Sequence, residues 1–356
     1  MIAGIVKKNG LIECDTMPTP KLEDDSVKIK VAVTGICGSD IPRVWKNGAH
    51  NYPIVLGHEF SGTISEVGKD VKNLKIGDHV VGVPLVPCFK CEDCQNGNFS
   101  LCKNYSFVGS RQQGSMAEYI VLKESNVFKI SKDIPLEKAA FFEPSTIALH
   151  AINLVNYQNN KNVVILGGGN IGSFMVQWAK ILGANKIVVI GRNKEKLKRS
   201  IDLGATHVVS TLDDDYLVQL NSLTQGRGFD YVFETAGSTI LMQLAFQLVK
   251  NKGDVCLVGT PTTDLIFTPK LWELLNRKEF KLTGSWMSYS NPWPGVEWQE
   301  TAKRFNEKTL NVTDDMIYGR YPLEKISDAF DLYKDDKHPG GKVLIYSDKE
   351  LLKRNK

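Results

Sequence analysis

The stretch that decides the fold is residues 162–172, which read Asn-Val-Val-Ile-Leu-Gly-Gly-Gly-Asn-Ile-Gly. A short strand candidate, Asn162–Leu166, runs directly into three glycines and then into a helical pattern over Ile171–Leu182. Placed between a strand and a helix, the G-x-G-x-x-G pattern is typical of a dinucleotide-binding turn, whereas the pattern alone is only a strand-to-helix turn. Its glycines allow a tight turn, a close approach of the pyrophosphate and close helix packing. We therefore predict cofactor contacts at Gly167, Gly169, Asn170, Ile171 and Gly172.

Strand and helix patterns alternate outward from this turn. The further strand candidates are Lys186–Ile190, His207–Ser210, Tyr231–Phe233, Asp254–Val258 and Phe280–Thr283. This alternation predicts an α/β protein with a doubly wound parallel sheet, the Rossmann arrangement. The first ~145 residues instead show short β-branched runs separated by turn residues, which predicts a β-rich domain.

The chain is accordingly predicted to contain two domains. Residues 1–148 form the β-rich domain, residues 149–289 the dinucleotide-binding domain, and residues 290–356 return to the first domain through a strand at Gly341–Tyr346.

The end of the second Rossmann strand bears on which dinucleotide binds. An acidic residue at this place holds the ribose hydroxyl of NAD, but here the chain reads Gly191-Arg192-Asn193. A glycine leaves room for a 2′-phosphate, and Arg192 offers it a charge-assisted fork. NADP(H) is therefore favoured. The alternative is NAD(H), with Arg192 solvated or stacked on the adenine.

Composition narrows the class of partner. The 356 residues carry a net charge of only +4, which does not favour nucleic-acid binding. No apolar run reaches the ~18 residues of a membrane span, and Met1–Gly10 lacks the apolar core of a signal peptide. We expect a cytoplasmic protein with a small-molecule partner, and neither a nucleic acid nor a membrane.

Four of the seven cysteines lie close together in the chain. They are Cys88, Cys91, Cys94 and Cys102. Four thiolates at this spacing predict a closed, structural zinc site in the segment 88–102, rather than four unrelated buried cysteines. We call this segment the four-cysteine lobe.

A second set of metal-binding residue types is scattered along the chain. Cys37 lies in Gly-Ile-Cys-Gly-Ser-Asp, His58 in Gly-His-Glu and Glu143 before a proline. Singly, a cysteine or a histidine is most often a core or hydrogen-bonded structural residue. As a set they offer three ligands and one open position, the arrangement of a catalytic zinc.

These motifs, in this order, resemble the zinc-containing medium-chain dehydrogenase family, which includes alcohol and sorbitol dehydrogenases. The resemblance covers essentially the whole chain. It implies a GroES-like catalytic domain before the Rossmann domain, and one catalytic and one structural zinc. It also implies that Cys37, His58 and Glu143 bind the catalytic ion, with Glu59 as a fourth ligand, direct or through water. Homodimers or homotetramers are usual in the family.

Three further segments resemble more closely the branch of the family that acts on galactitol 1-phosphate. They are residues 42–50, 107–111 and 284–295. This resemblance implies reversible hydride transfer between NAD(P) and a secondary alcohol of a polyol phosphate, or its ketose phosphate. A pentitol phosphate such as ribitol or xylitol phosphate, or an unphosphorylated polyol such as sorbitol, stays open as the substrate.

The chain departs from its relatives at two positions. Alcohol dehydrogenases use a histidine as proton relay where this chain has Pro42, and the galactitol-phosphate branch has an aspartate where this chain has Gly191. The resemblance favours Ser39 as a proton relay beside the metal, with Glu59 as the other catalytic residue. The alternative is that Ser39 only caps local backbone.

A phosphate on the substrate requires cationic or amide donors. The candidates flanking the catalytic motifs are Arg43, Lys46, His50 and Arg111, although charged loop residues are usually just solvated. The aromatic residues Trp286, Tyr289 and Trp293 could wall the substrate cleft, with Trp286 as the substrate contact. Domain or subunit packing is the alternative.

Two other classes of protein are less consistent with these residues. A non-catalytic NADPH-binding protein predicts a damaged catalytic set, and a zinc-free quinone reductase predicts no zinc ligands at all. Because Cys37, His58, Glu59 and Glu143 are all present, a dehydrogenase is favoured.

Overall fold

A computed structural model describes residues 1–334 and 339–355, and these residues divide into two compact units. The first unit contains Met1–Glu143 and Tyr289–Lys356, and the second contains Pro144–Ser288. The chain thus leaves the first unit once and returns to it. None of the helices in the described ranges is long and apolar enough to cross a membrane.

The first unit begins with ten strands and three short helices. In chain order these are β1 (Ile2–Lys8), β2 (Leu11–Thr16), β3 (Ser26–Gly35), α1 (Ile41–Trp45), β4 (Ile54–Val55), β5 (Glu59–Val67), β6 (His79–Gly82), β7 (Leu85–Val86), α2 (Glu92–Gln95), β8 (Ser106–Phe107), β9 (Tyr119–Lys123), β10 (Val127–Lys129) and α3 (Leu136–Ala139). Helix α4 (Phe142–Leu154) follows and contains the boundary between the units.

The second unit alternates strand and helix. Its elements are β11 (Asn162–Leu166), α5 (Asn170–Ile181), β12 (Lys186–Gly191), α6 (Lys194–Leu203), β13 (His207–Ser210), α7 (Tyr216–Leu223), β14 (Phe229–Glu234), α8 (Thr239–Leu248), β15 (Val249–Leu257), α9 (Pro269–Lys278) and β16 (Lys281–Gly284). The chain then returns to the first unit with α10 (Val296–Asn306), β17 (Ile317–Pro322), α11 (Ile326–Asp331), β18 (Lys342–Tyr346) and α12 (Lys349–Arg354).

The sheet of the second unit is parallel throughout, in the order β13-β12-β11-β14-β15-β16. Counted in chain order this is 3-2-1-4-5-6, the order of a Rossmann fold. The central strands are apolar on both faces, because helices cover both sides of such a sheet. Val163–Leu166 are accordingly fully buried. The predicted fold class and the predicted strands are confirmed, with strand ends within a few residues except for β15, which begins five residues earlier.

The first unit is built on a seven-stranded sheet ordered β10-β6-β5-β3-β18-β17, with β9 also paired to β3. A three-stranded sheet, β2-β1-β4, and a two-stranded sheet, β7-β8, complete it. Strands β3 and β5 are antiparallel neighbours, and Gly35 at the end of β3 pairs with Glu59 at the start of β5. Strand β18, from the far end of the chain, lies on the other side of β3. The loop after β3, the start of β5 and β18 therefore meet at one edge of this sheet.

Candidate zinc and dinucleotide sites

The scattered metal-binding residues of the first unit come together at the edge where β3 ends and β5 begins. The ligand atoms of Cys37, His58 and Glu59 lie within 4.8 Å of one another. His58 and Glu59 are almost fully buried. One thiol, one imidazole and one carboxylate form a donor set suited to zinc and leave a coordination position open.

Asp40 lies beside two members of this set. Its Oδ2 accepts a hydrogen bond from the backbone amide of Cys37 at 3.0 Å, and its Oδ1 lies 3.8 Å from Nδ1 of His58. Both Oδ1 of Asp40 and Nδ1 of His58 are buried and have no hydrogen-bond partner among the described residues. A carboxylate beside a metal-binding imidazole fixes the ring and raises its basicity. The ring of Phe107 packs edge-on against that of His58, with centroids 5.2 Å apart.

Glu59 is held by a residue that no local motif indicated. Lys342, from β18, is only 6% exposed, forms an ion pair with Oε2 of Glu59 and donates to the backbone carbonyl of Ile36. Burial alone would lower the pKa of Lys342, but the charges of Glu59 and Cys37 outweigh it and leave the pKa above its ordinary value. Gly35 makes this pairing possible, because a Cβ there would lie 2.7 Å from Oε2 of Glu59.

Glu143 lies at the start of α4, outside the tight set of three. It is buried, and it interacts electrostatically with His58 and Glu59. Burial raises the pKa of Glu143 to about 7, Glu59 contributes in the same direction, and His58 and Lys342 act against it. Burial also raises the pKa of the Cys37 thiol. A divalent cation would lower both values by favouring the charged forms, so the donor set fits the zinc that it is expected to hold.

Of the sequence-predicted ligands, the structure thus groups Cys37, His58 and Glu59 most tightly. Glu143 is an outer carboxylate of the same site rather than a member of that group.

Ser39 and the cationic candidates for substrate binding make different contacts around this set. The Ser39 hydroxyl is exposed and donates to Sγ of Cys37 at 3.3 Å. Arg43 donates to the backbone carbonyl of Ser39 and interacts with the charge of Asp40. Arg111 stacks over Tyr105, with its guanidinium 4.2 Å from the ring centroid.

The remaining candidates are less closely tied to this set. Arg111 belongs to the turn after Phe107, because its amide donates to the Phe107 carbonyl at 3.0 Å. Lys46 and His50 are exposed. Trp286 belongs to the second unit and is 51% exposed.

The four-cysteine lobe forms the second metal-binding group of the first unit. The sulfurs of Cys88, Cys91, Cys94 and Cys102 lie within 4.8 Å of one another. Hydrogen bonds from the amides of Lys90 and Cys91 lower the pKa of Cys88, which favours the thiolate that zinc requires. Four sulfurs fill a tetrahedral shell, so the residues fit a closed structural site.

The glycine-rich turn lies between β11 and α5 in the second unit. Gly167 has a φ of +114°, which suits glycine, and a Cβ on Gly172 would lie 2.0 Å from the Gly167 carbonyl oxygen. Gly169 precedes α5 with open space around the place of its missing Cβ. Oδ1 of Asn170 is buried and has no partner in the described part of the chain. The turn therefore has room and amide donors for a pyrophosphate at the helix N-terminus.

Cationic side chains follow the end of β12, where Gly191 stands in place of the expected carboxylate. Arg192 is exposed. Arg199 is buried and donates from Nη2 to the Gly168 carbonyl at 2.9 Å. Lys196 is partly buried. Its Cβ would lie 3.4 Å from a Cβ added at Gly168, so the lysine stands close to the glycine-rich turn. Burial and then the charge of Arg199 lower the pKa of Lys196.

Sequence reasoning had missed Lys342, Asp40, Lys196 and Arg199. A signal existed for three of them. Asp40 closes the motif that carries Cys37, and Lys196 and Arg199 repeat at helical spacing after Gly191. Lys342 had none, because only strand pairing brings it to the site.

Two parts of the chain match families of known proteins. Residues 23–132 match the alcohol dehydrogenase GroES-like domain family and residues 170–303 match the zinc-binding dehydrogenase family. The chain belongs to the zinc-dependent medium-chain dehydrogenases, and it is an oxidoreductase of that family.

Within this family the chain is 40% identical over 338 residues to galactitol 1-phosphate 5-dehydrogenase of Escherichia coli (strain K12), covering 95% of this chain and 97% of the relative. The crystal structure of galactitol-1-phosphate dehydrogenase from Escherichia coli superposes with a TM-score of 0.92 at 39% identity, covering 97% of this chain and 100% of the other. Sorbitol dehydrogenase of Bacillus subtilis (strain 168) is 31% identical over 352 residues, 97% of each chain.

A zinc-binding dehydrogenase from Sinorhizobium meliloti 1021 was crystallised with NADP and has a TM-score of 0.87 at 27% identity, covering 97% of this chain and 98% of the other. The expectations of a GroES-like domain, a Rossmann domain, zinc and a nicotinamide dinucleotide are thereby confirmed. The choice between NADP and NAD, and the roles of individual residues, stay predictions.

Two substitutions in the glycine-rich turn separate its contribution to folding from its contribution to dinucleotide binding. We expect Gly169→Ala to keep the thermal midpoint of unfolding, because its Cβ meets open space, but to weaken dinucleotide binding at least tenfold by blocking the approach of the pyrophosphate. Gly172→Ala should lower both the thermal midpoint and the affinity for the dinucleotide, since its Cβ would collide with the Gly167 backbone. Gly284→Ala, also in open space, is the control. Fluorescence titration with NADPH and NADH measures binding, and an unchanged affinity in Gly169→Ala would contradict the assignment of the turn.

Proposed function

We propose that this dehydrogenase acts on a polyol phosphate resembling galactitol 1-phosphate, oxidising one secondary alcohol with NAD(P) and reducing the matching ketose phosphate in the reverse direction. The observation that carries the proposal is the convergence of Cys37, His58 and Glu59 on one point with Glu143 nearby, in a chain 40% identical to a galactitol-phosphate enzyme along nearly its whole length. The intact donor set also argues against a non-catalytic dinucleotide-binding protein.

The metal-binding residues have separate tasks in this proposal. Cys37, His58 and Glu59 would hold zinc, with Glu143 at the edge of the set; when bound, the ion would supply a Lewis acid that favours loss of the alcohol proton, and the nicotinamide would carry the hydride. Asp40, 3.8 Å from the imidazole of His58, would orient that ring when His58 binds the ion. Lys342 occupies Oε2 of Glu59 and so restricts how that carboxylate can turn.

Ser39 is proposed as the residue that moves the proton. Its Oγ is exposed and lies 3.3 Å from Sγ of Cys37, so the hydroxyl is beside a ligand of the ion and also open to water. A hydroxyl in that place can accept a proton from the substrate and release one to solvent. Arg43 holds the Ser39 carbonyl and thereby the backbone of this segment.

Cationic side chains near the site favour a phosphorylated substrate. Arg43 and Arg111 are on segments that border the zinc-binding residues, and a guanidinium binds phosphate with two parallel hydrogen bonds. A pentitol phosphate or an unphosphorylated polyol is the second candidate, supported by the similarity to sorbitol dehydrogenase.

NADP(H) is proposed as the preferred cofactor. Lys196 lies in the first turn of α6, next to Glu195 in the chain and close to Gly168 of the glycine-rich turn. Together with the exposed Arg192 it would bind a 2′-phosphate at the end of β12, where Gly191 leaves room. The cytoplasmic location and the homodimer or homotetramer expected from sequence stay predictions.

Substrate pairs test the proposed function directly. We expect kcat/KM for galactitol 1-phosphate to exceed that for galactitol about 100-fold, because each charge-assisted bond to phosphate contributes about 1.5–3 kcal/mol. Ribitol and xylitol phosphates should be poorer substrates. Two zinc ions per chain are expected in the same preparation. Equal kcat/KM values for galactitol 1-phosphate and galactitol would contradict the proposed recognition of phosphate. A zinc content below two per chain would contradict the proposed pair of zinc sites.

Replacement of Ser39 tests the proton path. We expect Ser39→Ala to lower kcat about 10²-fold or more while the zinc content stays at two per chain. Ser39→Thr, which keeps a hydroxyl, should retain most of the turnover. Unchanged kcat in the alanine variant would show that Ser39 only shapes the local backbone.

Cofactor preference is tested on α6. Lys196→Ala and Arg192→Ala should each weaken NADPH binding about tenfold and leave NADH binding nearly unchanged, because only NADPH carries the 2′-phosphate. Lys198→Ala, an exposed lysine on the same helix, is the matched control and should change neither. Equal losses for both cofactors, or none, would contradict the proposed preference.

A further inference from the structure

A buried carboxylate lies at the carboxyl end of β14 and has no part in the proposed metal chemistry. Glu234 is the last residue of β14, its side chain is fully buried, and it pairs in register with Leu166, the last residue of β11. The strand order of this sheet reverses between β11 and β14, and a Rossmann fold binds its dinucleotide in the crevice at that point. Glu234 therefore lies beside the glycine-rich turn, which follows β11.

Backbone amides of the loop that follows, residues 235–238, satisfy this carboxylate. Its Oε1 accepts hydrogen bonds from the amides of Ala236 at 2.9 Å and Ser238 at 3.3 Å, and its Oε2 accepts one from Gly237 at 3.2 Å. Burial raises the pKa of the Glu234 carboxyl, and these hydrogen bonds act against that increase. A polar group of this kind is costly to bury unless such donors surround it. Loop 235–238 is thus folded around the side chain of Glu234.

Thr235 joins this loop to the glycine-rich turn. Its amide donates to the Leu166 carbonyl at 3.0 Å, and its hydroxyl donates to the Gly167 carbonyl, also at 3.0 Å. The packing between the two segments is close, because a Cβ on Gly167 would lie 3.0 Å from the Cβ of Ala236 and 3.1 Å from the Thr235 hydroxyl oxygen. A displaced loop would therefore press on the turn or lose its hydrogen bonds to it.

The loop after β15 limits movement on the other side. The backbone carbonyl of Glu234 accepts from the amides of Val258 at 2.8 Å and Gly259 at 3.1 Å. A Cβ on Gly259 would lie 2.0 Å from the amide nitrogen of Gly237 and 2.7 Å from Oε2 of Glu234, so these segments are in direct contact. The loops after β11, β14 and β15 are consequently packed around one another, with the Glu234 side chain between the last two.

We propose that Glu234 is a positioning residue for dinucleotide binding: it holds loop 235–238 against the glycine-rich turn and so fixes the shape in which the turn receives the pyrophosphate. A turn that already has its binding shape avoids the cost of being ordered when the ligand arrives. Because the pyrophosphate is common to both dinucleotides, Glu234 acts on NADH and NADPH alike, unlike Lys196 and Arg192. The inference does not depend on the polyol substrate. It rests on the assignment of the glycine-rich turn, which Gly169→Ala tests separately, so the two failures are distinguishable.

Glu234→Gln tests this role with little change in size. The glutamine oxygen can still accept from Ala236 and Ser238, but its NH2 group would face the amide of Gly237, where two donors repel each other. We expect the dissociation constants of NADH and NADPH, measured by fluorescence titration, to rise about tenfold with their ratio unchanged. At saturating dinucleotide kcat should change little, because the reacting groups are untouched, whereas KM for the dinucleotide should rise.

Asp230→Asn is the matched control, since it changes a carboxylate near the opposite end of the same strand. Asp230 accepts a hydrogen bond from the amide of Asn162 at 2.8 Å and forms an ion pair with Lys250. We expect this variant to lower the thermal midpoint of unfolding and to leave both dissociation constants unchanged. A loss of affinity in Glu234→Gln that Asp230→Asn does not share then cannot come from weakened folding of β14 alone.

Thr235→Val completes the test, because it keeps the shape of the side chain and removes only the hydroxyl that reaches Gly167. Alone it should also weaken dinucleotide binding. Since Glu234 acts through this contact, the double variant should bind about as weakly as the weaker-binding single variant, because linked residues do not have additive effects. Wild-type affinity in Glu234→Gln, an equal loss in Asp230→Asn, or losses that add in the double variant would overturn the inference. Should Glu234→Gln fail to fold, wild-type affinity in Thr235→Val would overturn it instead.

Discussion

Burial of charge at the edge of the seven-stranded sheet is the constraint on which the rest of the first unit depends. Glu59 and Glu143 are buried, and together with the partly buried Cys37 they would bring three negative charges to the zinc site. Buried charges are stable only when they are paired or coordinate a metal. A zinc ion and the buried cation of Lys342 would offset these charges. The ion pair between Lys342 and Glu59 is therefore part of the metal site and not simply a contact between strands.

This balance explains why the site draws on distant parts of the chain. Cys37 follows β3, Glu59 begins β5, Glu143 lies in α4 and Lys342 begins β18. A sheet with β3 between β5 and β18 places Cys37, Glu59 and Lys342 at one edge, and α4 brings Glu143 from outside the sheet. The return of the chain after the Rossmann domain is thus required for charge compensation as well as for completing the sheet.

The four-cysteine lobe adds a second support from a different direction. Its sulfurs form a closed group in a loop segment with little apolar core, and the aromatic residues Trp293 and Tyr289 connect the lobe to Trp298. Aromatic rings bury large areas and pack in defined geometries, so these contacts hold the lobe against the returning segment of the chain. The 284–295 segment, which first served only to indicate a branch of the family, gains a physical task from this packing.

The sequence by itself determined the alternation of strands and helices, the glycine-rich turn and the four-cysteine site, because each depends on residues close together in the chain. It also indicated Cys37, His58, Glu59 and Glu143, but as separate motifs whose meeting rested on resemblance. Only the tertiary structure decided that Glu59 belongs to the tight set and Glu143 to its edge, that Lys342 compensates their charge, and that Tyr289 faces the lobe. These contacts join residues up to about 280 positions apart, and strand pairing and core packing, which no local pattern specifies, bring them together.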